Sequence, residues 1–129
     1  MWTQYTEQRN VVPEVSLEEQ EGRVVGYDGA VITQISQMAM GVVYYGKAAG
    51  LPSEIIVRGH CEAYCDGDSS NVATISAYDP LTPNGTASGS GTAANDGVFT
   101  KATLGTHYVR AIALEACTKA NTKIKVDLL

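Results

Sequence analysis

Apolar residues in this chain fall in short bursts at a spacing of two, broken by Gly, Asp and Asn. No stretch sustains the three-to-four spacing of a long helix. The cleanest burst is Lys123-Ile124-Lys125-Val126-Asp127-Leu128-Leu129, an alternating strand. Glu54-Ile55-Ile56-Val57-Arg58-Gly59-His60 is rich in β-branched residues and is expected to continue through Cys65. Met40–Tyr45, Gly97–Ala102 and Tyr108–Ala116 read as further strands. Arg23–Tyr27 and Ala30–Ile35 flank Asp28-Gly29, which predicts a hairpin with a two-residue turn. Ser16-Leu17-Glu18-Glu19 has capping-box spacing, but Gly22 limits it to one short helical turn. Asp66–Ser70 is turn chemistry, and Asn71–Tyr78 is an ambiguous short run.

These elements predict an all-β chain: roughly seven to nine short strands, under about 15% helix, and a small antiparallel β-barrel or sandwich. The expected organisation is an extended N-terminal arm over residues 1–20 and a single β domain over 21–129. Pro13 disfavours helix at Val12, so Val11-Val12-Pro13-Glu14-Val15 is expected to be extended. Residues 79–97, rich in Gly, Ser, Thr and Ala, are expected to form one long loop, turning at Asp79-Pro80-Leu81.

Composition narrows the function classes. The net charge is −5, and residues 1–28 hold six acids against two bases. Such a chain is repelled by a phosphate backbone, so no nucleic-acid partner is expected. No run approaches the length of a membrane span, so no membrane partner is expected. Met1–Tyr5 lacks a basic region followed by an apolar run, which argues against a signal peptide and for folding in a reducing cytoplasm. Seven Tyr against one Trp and one Phe suit half-buried strands and interfaces.

Candidate chemistry is thin. Cys61 and Cys65, on one strand, would sit about 13 Å apart, too far for a disulfide. All three cysteines, with Cys117, are expected to be buried free thiols. His60-Cys61-x-x-x-Cys65 supplies too few ligands for structural zinc, and His107 is remote. Asp66-Gly67-Asp68 opens like a calcium loop, but Ala77 stands where the bidentate Glu belongs. Asn84-Gly85-Thr86 is a glycosylation sequon that matters only in a secretory setting. Cys61 or Cys65 with His107 has no triad signature around it. No cofactor, metal or catalytic residue is therefore expected. A carbohydrate- or ligand-binding β module, using Tyr44, Tyr45, Tyr64, Tyr78 and Tyr108, is the alternative reading.

One order of short motifs spans roughly the last ninety residues, with a weaker echo in Arg23–Ile35. It runs Gly41-Val42-Val43, Val57-Arg58-Gly59, Gly67-Asp68, Asp79-Pro80-Leu81, Gly97–Thr103, Ala111-Ile112-Ala113-Leu114-Glu115-Ala116 and Ile124-Lys125-Val126-Asp127-Leu128. This order resembles the capsid decoration (cement) proteins of tailed bacteriophages. The resemblance implies a β-tulip-like domain with an N-terminal arm. It also implies a structural, non-enzymatic role: homotrimers on the outer surface of the virion, bound to the major capsid protein and stabilising the expanded head. The acidic, Trp- and Tyr-bearing first twenty residues depart from the family pattern, and residues 79–96 read as an insertion. An arm that spends apolar and aromatic residues without a packing period suggests binding, so Trp2, Tyr5, Val11, Val12, Pro13 and Val15 are the expected capsid contacts. On this reading, deleting residues 2–15 leaves the melting temperature nearly unchanged and weakens capsid binding.

Overall fold

The computed structural model describes residues 6–66, 74–85 and 96–129. Their eight strands are β1 (Glu7–Val11), β2 (Val24–Gly26), β3 (Ala39–Tyr45), β4 (Ser53–Cys65), β5 (Pro80–Asn84), β6 (Val98–Lys101), β7 (Ala111–Ala113) and β8 (Thr122–Leu128). No helix occurs among the described residues.

β4 organises the molecule because it serves two sheets in succession. Its first half, Ser53 to Arg58, lies between β1 and β3, and β2 extends the sheet beyond β3. Its second half, Gly59 to Cys65, pairs antiparallel with β8 in unbroken register, from Gly59 opposite Leu128 to Cys65 opposite Thr122. The path β4–β6–β5–β7–β8 returns to β4 and closes a five-stranded barrel. All its pairings are antiparallel except β4–β6, which is parallel and rests on Cys65 opposite Phe99. Gly59, at the passage from open sheet to barrel, has φ of 94°. An L side chain is strained there, so glycine lets one strand change direction without ending.

Two apolar clusters follow from strand alternation. Ile124, Val126 and Leu128 point into the barrel while Lys123 and Lys125 point out. They meet Phe99, Leu81, Ala63, Cys65, Ala111 and Ala113, and Val42 and Ile56 of the open sheet join the same cluster. The other face of that sheet carries Val25, Val43 and Ile55, covered by Leu17. Full burial of one such Val, Leu or Ile contributes about 1.5–3 kcal/mol.

Two expectations are corrected. Residues 79–97 are not one loop, because Pro80–Asn84 is the barrel strand β5. Its prolines are compatible with pairing for a local reason. The Pro83 carbonyl accepts from Ser36 N, on the side away from β6, so the missing N–H also faces that way. β7 has ended by then, pairing only with Pro80 and Leu81. The Asp28-Gly29 hairpin uses three loop residues rather than two. Gly26 N bonds to Ala30 O, Gly29 takes φ of 80°, and Asp28 Oδ1 accepts from Ala30 N. Beyond it only the Val25–Val31 bridge forms, in place of a full second strand. At Ser16 the hydroxyl accepts from Glu18 N, and Glu19 at φ of 60° ends the turn before a helix begins.

The arm is also not a free segment. Glu7–Val11 is extended, as expected, but pairs antiparallel with β4 of its own chain. Its polar sequence, Glu-Gln-Arg-Asn-Val, suits an edge strand with mostly exposed side chains.

Candidate interaction surface

The register fixes two ends of the small sheet. Val11 of β1 lies opposite Ser53, and Tyr45 of β3 lies opposite Glu54. The C-terminal ends of β1 and β3 therefore meet at the start of β4. Val12 and Val15 follow β1, Tyr44 and Tyr45 end β3, and Leu51 precedes β4. All five are about half exposed or more, from 47% for Val15 to 61% for Val12. Tyr45 carries Lys47 Nζ 5.5 Å from its ring centroid. A bulge between Val43 and Tyr45 puts the two tyrosines out of step with the strand alternation.

The expected contact residues divide accordingly. Val12 and Val15 are exposed at this end. Val11 is half-buried against the Val25–Val43–Ile55 cluster. Pro13 is buried, accepts from Gly50 N at 2.9 Å, and packs so closely on Gly29 that a Cβ there would lie 2.9 Å from Pro13 Cβ. Val11 and Pro13 thus anchor the segment to its own domain, which removes them from the free contact set. Trp2 and Tyr5 lie outside the described residues.

The opposite end of β1 is cationic. A cavity of about 350 Å³ opens there, lined by Arg9, Arg58 and Arg110 together with Glu7, Tyr27, Tyr108, Met40, Val57 and Leu129. Arg110 is buried and reaches four main-chain oxygens: Ala39 (3.1 Å), Met40 (2.9 Å), Val57 (2.6 Å) and Leu129 (2.5 Å). It therefore ties β3 and β4 to the residue that follows β8, with its charge held by carbonyl dipoles. Burial pushes the neighbouring Tyr108 hydroxyl upward in pKa and keeps it a proton donor.

A third groove, beside the middle of β4, is lined by Gln8, Tyr44, His60, Cys61, Glu62 and Lys123. His60 Nε2 lies 3.8 Å from Asp127 Oδ1. Burial pushes the Cys61 thiol to about 12, so at neutral pH it is a weak nucleophile. Cys65 is raised likewise, by burial first and then by the adjacent Cys117. All three cysteines are free, and Cys117 Sγ lies 3.7 Å from Cys65 O. Cys117 also bridges Ile75, a pairing that no local spacing signals. No group of three His, Cys, Asp or Glu side chains that could hold a metal ion occurs among the described residues. Of the tyrosines proposed for a sugar face, Tyr78 is fully outside any strand, and Tyr64 is covered by the Arg23 guanidinium 3.7 Å from its ring centroid.

Comparison of the chain with protein-family models, curated proteins and solved structures found no match.

Proposed function

We propose that this chain is a structural decoration protein that binds the outer surface of an expanded phage head, as homotrimers on the major capsid protein. The observation that carries this reading is the exposed apolar end of the small sheet: Val12, Val15, Tyr44, Tyr45 and Leu51 around the start of β4. Tyr44 and Tyr45 on a paired strand, with Val12, Val15 and Leu51 on the adjoining connections, offer aromatic and branched side chains for docking. The motif order along the last ninety residues supports the phage assignment. A trimer would present three such surfaces at once, so modest contacts would sum to stable attachment.

The test is co-sedimentation with empty expanded heads assembled from the major capsid protein encoded beside this chain. The wild-type chain should pellet with the heads and sediment as a trimer. Val12→Asp with Tyr45→Asp should stay folded and bind at least tenfold more weakly, a loss of about 1.4 kcal/mol. A folded wild-type chain that leaves the heads bare, or one that sediments as a strict dimer with and without them, would refute the reading. Selective capture of one glycan, with no need for an oligomer, would favour the carbohydrate-binding alternative.

A further inference from the structure

Only four arginines occur in the chain, and three of them, Arg9, Arg58 and Arg110, line one cavity. This is unexpected in a protein of net charge −5. They arrive from β1, β4 and the segment just before β7, so the convergence is a product of the fold. Arg9 and Arg58 are exposed, and neither forms an ion pair among the described residues. Arg110 is fixed beneath them by its four carbonyl partners. Glu7, whose backbone lies opposite Arg58, is the one acidic residue of the lining. Tyr27, Tyr108, Met40, Val57 and Leu129 complete the lining, so positive charge outweighs negative there.

The second observation is the strand beside the cavity. Among the described strands β1 pairs only with β4, so its other edge offers unclaimed main-chain donors and acceptors. A segment added to that edge would place alternate side chains on the cavity side, within cross-strand reach of Arg9.

We propose that this edge and cavity together bind an extended acidic peptide segment of a partner protein. Its main chain pairs with β1 and its carboxylates, two residues apart, sit against Arg9 and Arg58. The site is distinct from the apolar end of the sheet, and the proposal stands whether or not the partner is a capsid subunit.

The test uses fluorescence anisotropy with a labelled peptide of about nine residues, Glu at every second position and Thr or Val between. The wild-type chain should bind it. Affinity should fall at least tenfold for the same peptide with Gln in place of Glu, and at least tenfold for the Arg9→Gln/Arg58→Gln variant. Arg58→Lys should retain part of the binding, since a point charge replaces a fork. N-methylation of alternate peptide nitrogens, which blocks strand pairing, should abolish binding in one of its two registers. The paired peptides are compared on the unaltered protein, so the result does not depend on a variant folding. Equal binding of the Gln peptide, undiminished binding by a folded double variant, or no binding at all overturns the proposal. Displacement by citrate or inorganic phosphate at the peptide's own concentration would reassign the cavity to free anions, and tighter binding of a single-stranded oligonucleotide would reassign it to phosphate backbones. Either result overturns the peptide assignment.

Discussion

The two halves of β4 experience different neighbourhoods. From Gly59 to Cys65 the strand is part of a closed barrel, paired along its length with β8, and its inward residues Ala63 and Cys65 are fully buried. From Ser53 to Arg58 it belongs to an open sheet that ends at β1. Closure removes strand edges, whereas an open sheet must leave one exposed. The barrel half is therefore expected to be the more stable of the two, although Val42 and Ile56 of the open half share its core. The candidate apolar surface belongs to the open half, and the cationic cavity lies where that half meets the barrel, at Tyr108, Arg110 and Leu129.

The strongest way to break this contrast is at the barrel core. Phe99 is fully buried and lies beside the single β4–β6 pairing. Phe99→Ala is expected to cost about 3–5 kcal/mol in denaturant unfolding, with the open sheet lost in the same transition. A smaller effect is expected at the open half. Deleting residues 2–15 removes β1, Val11 and Pro13, and should lower stability by about 1–3 kcal/mol. Hydrogen exchange should then show β8 amides still protected and β4 amides before Gly59 newly labile. Equal loss of protection in both halves would show that they form one cooperative unit.

A third expectation concerns alkaline pH. Cys61 is raised from 9.0 to about 12 by burial, so the folded state keeps its thiol neutral where the unfolded chain ionises. The stability it contributes is complete below pH 9 and is lost as pH rises from 9 toward 12. Cys61→Ala should flatten that decline in melts run across this window. The thiol itself should label slowly at pH 8, because on the order of one molecule in ten thousand carries the thiolate. The smallest effect belongs to Thr82 and Thr100. They face each other across β5 and β6, are buried, and their hydroxyls lack hydrogen-bond partners among the described residues. Replacing both by Val keeps the shape and removes the desolvated oxygens, so stability should change by less than about 1 kcal/mol or rise. A large loss in calorimetry would mean that those hydroxyls are satisfied in solution.

Legibility in the sequence tracked how strongly each strand alternates. β8, the first half of β4, β3 and β6 declare themselves because most of their inward positions are Ile, Val, Leu or Phe. β5 hid behind Pro80 and Pro83, since the rule that prolines break strands takes no account of where the neighbouring strand stops. β1 hid because four of its five residues are polar, and an edge strand is held by main-chain bonds that leave no pattern in side chains. The tyrosines at the end of β3 were visible as candidates, but their shared position with Val12 depended on register. The arginine cavity had little signal: Arg9, Arg58 and Arg110 are isolated bases in three separate segments. The isolated appearance of Arg110 in an apolar run was the nearest hint, because a buried charge must be accounted for by partners elsewhere.

The Arg110 tie also bears on how quickly the chain reaches its native state. Its guanidinium needs carbonyls from β3, from the middle of β4, and from Leu129. The β3 and β4 carbonyls are neighbours by local pairing, but Leu129 cannot be in place until β8 has found β4, a pairing of residues 59–65 with residues 122–128. Contacts so distant along the chain make for slow search, in the millisecond-to-second range common to β-barrels. Arg110 is therefore expected to complete its set of partners late, when Leu129 arrives. A variant lacking it should fold at nearly the wild-type rate and unfold much faster, because the interactions it makes arise after the rate-limiting step.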